Sequence, residues 1–338
     1  MKYKLVFIFL FGLLSTVLPA ESNSFAVKPD LFDILDGKQF VSVTLYLNLD
    51  SLLNNRFSED KIQGIFSYKQ TDGKVLKLSV KVNLRGKFRR RMCGFPPLKL
   101  NFNKTELNEI QLSNADEYKL VTHCLEGEEG EINIIKEHLA YQIYQRLSPF
   151  SYRSKLLKIT YQDTKSDQKV VGMAILLEDK STFEKRTNLK EIKDSFSISR
   201  SNFEDINFRT HSLFQYMIGN LDWSTAIAKN LDIYQSKGNQ KMIVVPYDFD
   251  FSGFVNVAYA VPNKDYKQKR VRDRLLLEAD ETDSLYKDEL KKFMELKPVF
   301  IDIIKKQKGL NLEIKLDLEN YLMSFYENLN AGFTRTFN

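Results

Sequence analysis

Four side chains late in the chain have the types and order needed to transfer phosphate from a nucleotide. They are Asp222 in Gly219-Asn220-Leu221-Asp222-Trp223, Asn230 after Lys229, and the pair in Pro246-Tyr247-Asp248-Phe249-Asp250. Carboxylate and amide oxygens are hard ligands for Mg²⁺, and a further carboxylate beside the ion can accept the proton of an attacking hydroxyl. Leu231–Ser236 and Lys241–Tyr247 read as strands, and Lys237-Gly238-Asn239-Gln240 between them is a turn signal. A hairpin folded about Gly238-Asn239 sets Asn230 opposite Tyr247 and Asp248 opposite Lys229. Asn230 and Asp248 then reach one cation from the same end of a ladder, with Asp250 as a further candidate ligand and Asp222 beside the ion as the base. Taken singly, each has a plainer reading: a loop cap for Asp222, a strand start for Asn230, a capped strand end for the acid pair. Their order and the hairpin favour a cluster. Two acids ending the apolar run Met242–Tyr247 are also costly unless solvated, paired or bound to a cation.

A nucleotide's phosphates need a cation, and that cation needs an acid to hold it. Lys99 lies mid-strand in Leu98-Lys99-Leu100, and Glu137 shares a helical stripe with Ile134, Tyr141 and Tyr144. For both, an exposed charge is the competing reading. The run Lys87, Arg89, Arg90, Arg91 reads mostly as a solvated turn, with Arg85 nearest the strand and best placed for a site. His123, His138 and His211 have no metal-ligand spacing, and the many Phe and Tyr residues read as core.

The elements that position these residues follow from periodicity. Gln39–Leu49, Gly64–Tyr68, Val75–Leu84, Leu98–Phe102, Leu156–Gln162 and Val170–Leu177 read as strands, and Glu131–Leu147 as a helix. Beyond Glu178, Ile206–Ile218, Ser284–Lys305 and Leu310–Leu329 read as helices. The expected fold class is α+β and bilobed: a mostly antiparallel β-rich lobe with one helix over 21–178, and an α-rich lobe carrying the hairpin over 179–338.

Residues 1–20 read as a signal peptide: Lys2 and Lys4, the apolar run Leu5–Leu18, then Pro19-Ala20. A retained anchor is the alternative, but the run is shorter than a span of about 20 residues. No other segment is long and apolar enough to cross a bilayer. The expected location is periplasmic or secreted, with no stable membrane span after cleavage. A net charge of +6, from 50 basic and 44 acidic residues, is too mild for a nucleic-acid partner. In an oxidising compartment Cys93 and Cys124 favour a disulfide, over a free pair or a metal site with His123.

Several segments resemble the CotH-like kinases, atypical protein kinases first associated with spore coats. Leu84-Arg85-Gly86 with Phe95–Phe102 is similar to that family's Arg-Gly loop and lysine-bearing strand, and Glu137-His138-Leu139-Ala140-Tyr141 to its glutamate helix. Gly172–Glu178 resembles the strand entering the interlobe hinge. Gly219–Trp223, Lys229-Asn230 and Pro246–Asp250 resemble the catalytic and metal-binding segments. The resemblance spans roughly residues 80–255 and implies a bilobed protein-kinase-like fold that takes ATP with Mg²⁺, or Mn²⁺, and phosphorylates a protein hydroxyl. It makes Asp222 the base, Asn230 and Asp248 metal ligands, and Lys99 with Glu137 the nucleotide-holding pair, with Arg85 and Glu178 beside the nucleotide. The chain departs from ordinary kinases in its longer Asp222–Asn230 stretch, in Asp-Phe-Asp for Asp-Phe-Gly, and in having no Gly-x-Gly-x-x-Gly loop. Two alternatives stand beside this: an exported binding protein of the same fold without turnover, and a glycosyltransferase holding Mn²⁺ through Asp248 and Asp250.

Overall fold

The computed structural model describes residues 28–35, 39–193, 195–238, 240–280, 282–329 and 332–336; the signal-peptide reading and Asn239 of the turn fall outside them. In chain order, α1 (Leu31–Ile34), β1 (Val41–Leu47), α2 (Leu49–Asn54), β2 (Ile62–Lys69) and β3 (Val75–Leu84) lead to α3 (Arg89–Met92) and β4 (Leu98–Phe102). Then come α4 (Lys104–Glu109), β5 (Glu117–Thr122), α5 (Gly127–Leu147), β6 (Ser154–Asp163) and β7 (Lys169–Leu177).

These seven strands close into a barrel in the order β1-β2-β3-β4-β5-β7-β6. All neighbours are antiparallel except β1 and β6, which pair in parallel from Val41↔Leu157 to Leu47↔Asp163. The expected antiparallel sheet is corrected in this respect, since the β1–β6 pairing leaves it no open edge. Alternation supplies the inward face: Val41, Val43, Leu45 and Leu47, like Val80, Val82 and Leu84, turn onto one buried core. Pairing the two outer strands also removes the exposed edge that invites aggregation.

The outer face of the barrel holds Val121, Leu156, Met173, Ile175 and Leu177, which pack with α5 in a second core. The same core takes in three helices of the second half: α7 (Asp205–Ile218), α8 (Lys287–Lys306) and α9 (Leu312–Asn328). Between β7 and α7 lie α6 (Lys180–Thr187) and β8 (Leu189–Glu191), and β8 joins β9 (Leu231–Ser236) and β10 (Met242–Pro246) in the order β10-β9-β8. The fold is α+β. Helix α5 is wedged between barrel and helices, so the two halves share it and are not cleanly separate lobes. No helix among the described residues is long and apolar enough to cross a membrane.

Candidate active site

The hairpin packs on α7 through Phe208, and Asn207 of that helix bonds its backbone. Asn207 Oδ1 accepts from Val244 N at 2.8 Å and its Nδ2 donates to Val244 O at 3.2 Å, so the helix supplies what a neighbouring strand would. Helix α7 stops at Gly219, where φ is +63° and a Cβ would lie 2.1 Å from Tyr321 Oη; only glycine fits. The register is the one the turn predicts. Pro246 pairs with Leu231, and Tyr247 N donates to Asn230 O at 3.1 Å.

Past the strand, Phe249 is fully buried between Tyr141 of α5 and Phe214 of α7, at centroid distances of 4.7 and 5.3 Å. Burying a ring of that size stabilises by about 1.5–3 kcal/mol and fixes the acids on either side of it. Asp248 N donates to Tyr141 Oη at 2.8 Å. Asp248 and Asn230 adopt left-handed backbone, φ +66° and +54°. Asp and Asn tolerate that region best, and residues held there concentrate at functional sites.

Asp222, Asn230 and Asp248 do come together. Asn230 spends both amide hydrogens on Asp222, at 2.7 Å to the backbone oxygen and 2.9 Å to Oδ2, while the Lys229 ammonium takes Oδ1. Burial raises the Asp222 carboxyl above its usual range and nearby Asp248 adds to this, against the pull of Lys229 and Asn230. Asn230 Oδ1 and Asp248 Oδ2 are left without a hydrogen bond among the described residues. The Asp248 side chain is 29% exposed. Two unbonded hard oxygens open to water suit Mg²⁺ or Mn²⁺, which keeps part of its hydration shell.

Arg89 requires a correction. The basic run containing it looks solvated, and Lys87 and Arg91 are exposed, while Arg90, largely covered, pairs with Glu59 at 2.8 Å. Arg89 instead turns inward from α3 and is buried among Asp248, Asp250 and Glu137. Asp250 Oδ2 also accepts from Tyr259 Oη at 2.8 Å. Burial pushes Glu137 up to about 8, with Asp250 and Asp248 adding to the rise and Arg89 opposing it; Asp250 is raised for the same reasons. Lys99 and Glu137, expected as a pair, are not brought together. Strand alternation turns Lys99 outward, where it meets Glu117 Oε2 at 2.7 Å.

The lysine that lies in a cleft is Lys119, across the β4–β5 ladder from Lys99. Its ammonium sits 4.0 Å over the Tyr247 ring and 3.5 Å from Asp232 Oδ2. Burial lowers it to about 8, and the charges of Arg85 and Lys180 lower it further against Asp232. Asp232 also takes Lys180 at 2.7 Å and the Tyr152 hydroxyl at 2.6 Å. Lys119, Lys180, Tyr152, Leu177 and Asp179 line a cavity of about 460 Å³, well within the size of small-ligand sites. Arg85 lies near Lys119, Tyr141 and Tyr247, with no ion pair among the described residues. Glu178 borders the cavity, but its carboxylate is fully buried between Arg153 (2.7 Å) and Arg186 (2.9 Å). Lys119 was legible only as one charge alternating with Tyr118 and Leu120.

No family model matches the chain, and no curated protein matches it. Among solved structures it is similar to the Helicobacter pylori proinflammatory kinase CtkA, at 12% identity and a TM-score of 0.40. That match covers 68% of this chain and 90% of the other.

Proposed function

We propose that the protein is an exported kinase of the CotH-like type, which moves phosphate from ATP to a protein hydroxyl. The observation that carries this reading is the convergence of Asp222, Asn230 and Asp248 with two ligand oxygens unbonded. Lys119 extends the site into the 460 Å³ cavity through Tyr247, the residue beside Asp248. Asp222 is the base, and its raised pKa brings it closer to the hydroxyl it serves. Asn230 and Asp248 would hold Mg²⁺ or Mn²⁺, which neutralises charge on the transferring phosphate. Lys119 takes the role expected of Lys99, contacting phosphates together with Arg85. The nucleotide base would lie toward Leu177–Asp179, which line the cavity beside Lys119. The signal-like start supports export, and the Cys93–Cys124 disulfide is compatible with it.

The antiparallel order of the barrel gives the glycosyltransferase alternative no support. Binding without turnover differs from the kinase reading only in chemistry. The test is transfer of γ-labelled phosphate from ATP with Mg²⁺ by the wild type, Asp248→Ala and Asp222→Asn. Wild type should label itself or a generic protein, and Asp248→Ala should not. Asp222→Asn should lose about 10²–10⁴ in rate while binding nucleotide normally. No label and no melting shift with ATP in the wild type would end the kinase reading.

A further inference from the structure

The acid pair around Phe249 poses a question of number: does the site hold one cation or two? Three carboxylates converge on one atom of the protein itself. Arg89 Nη2 lies 2.6 Å from Asp248 Oδ1, 2.7 Å from Asp250 Oδ2 and 3.6 Å from Glu137 Oε2. Acids surround a metal ion in this way, and here a guanidinium stands at the centre. The surroundings are dry, with side-chain exposures of 5% for Asp250 and 2% for Glu137 against 29% for Asp248. The space beside them, bordered by Asn133 and Tyr259, is about 10 Å³. That is roughly room for one water and none for an ion that keeps its own.

The guanidinium is also permanent. Arginine stays charged at any working pH, so deprotonation cannot vacate the position. Its turn is tied down as well. Cys93 N donates to Arg89 O at 3.0 Å, Cys93 is disulfide-bonded to Cys124 just ahead of α5, and Arg56 donates to Cys93 O at 2.5 Å.

We infer that Arg89 replaces a second cation. The site takes one divalent ion, through Asp248 and Asn230, while Asp250 and Glu137 hold the arginine and do not ligate metal. Arg89 is thereby a positioning residue. It fixes Asp248 by one oxygen and leaves the other for the ion. The inference rests on the metal-site reading of Asp248.

The experiment counts bound Mn²⁺ per chain by electron paramagnetic resonance, with a non-hydrolysable ATP analogue and with melting recorded for each variant. Wild type should bind one ion, Asp250→Asn should bind one with unchanged affinity, and Asp248→Asn none. Arg89→Met should gain an ion, which adding Asp250→Asn removes again. Two ions in the wild type, one of them lost in Asp250→Asn, would overturn the inference. If the wild type binds none, the metal reading of Asp248 fails separately. Even then, an ion gained by Arg89→Met supports the inference, and a folded Arg89→Met that gains none overturns it. Should Arg89→Met not fold even with Mn²⁺, Asp250→Asn decides: an unchanged count supports, a lost ion overturns.

Discussion

Two charge clusters meet at Tyr247-Asp248, built from similar groups to opposite ends. Around Arg89 there are three acids to one base, with Arg89, Asp250 and Glu137 shut off from water and only Asp248 part-exposed. Around Asp232 there are two acids, Asp232 and Glu191, to two lysines, with Arg85 close by, along an open cavity. Surplus negative charge in a dry place demands a fixed partner. Lys119 at the wall of a cavity, with Arg85 near it, is an arrangement suited to an incoming anion. The first cluster therefore sets geometry, and the second receives ligand.

Exchanging the bases for methionine tests that division most severely. Arg89→Met takes the guanidinium from the buried Asp250 and the part-exposed Asp248 and should destabilise by about 3–5 kcal/mol in urea unfolding at pH 7, where Glu137 still holds its proton. Lys119→Met leaves Asp232 its Lys180 and Tyr152 partners and should change stability by only ~1 kcal/mol. It should instead cost about 1.5–3 kcal/mol of nucleotide binding by calorimetry, as for a lost hydrogen bond to a charged group. If Lys119→Met unfolded as readily as Arg89→Met while binding nucleotide normally, the two clusters would not differ in kind.

The two clusters were also unequally legible. The hairpin could be read because turn chemistry fixes register within a few residues, and that register carried Asn230 and Asp248 to one place. Helices such as Asp205–Ile218 announced themselves by period. Arg89 could not be told from Arg90 and Arg91, because its partner Asp248 lies 159 positions away and only the closed fold joins them. Lys119 was missed because β5 is short and its charged ends break the alternation. The barrel's closure rests on a parallel pairing of β1 with β6 that no local pattern encodes. Contacts between near neighbours were readable, and contacts made by folding were not.

The disulfide sharpens the contrast, because it anchors only one of the clusters. Cys93→Ser with Cys124→Ser should cost roughly 3 kcal/mol, mainly by freeing the unfolded chain. Locally the loss should fall on the turn that presents Arg89. Hydrogen exchange should quicken at Arg90–Cys93 and stay unchanged at Ile233 and Tyr234, behind the Lys119 cavity. Uniform quickening at both places would mean that the bond steadies the whole fold and not that turn.

A further contrast is a matter of pH, and the clusters should move in opposite directions. Glu137 is raised to about 8 from 4.5, so the folded chain keeps a proton that the unfolded chain has lost. The resulting stability is complete below 4.5 and disappears as pH rises to about 8. Lys119 is lowered to about 8 from 10.5, so the folded chain releases its proton first, and stability increases from about 8 to 10.5. Glu137→Gln should flatten the acid-side slope and Lys119→Met the alkaline one, each read from urea midpoints across pH. Nucleotide affinity should weaken above about pH 8 in the wild type, as the ammonium at the cavity loses its charge. The same weakening in Lys119→Met would place the responsible cation elsewhere, with Lys180 and Arg85 next in reach.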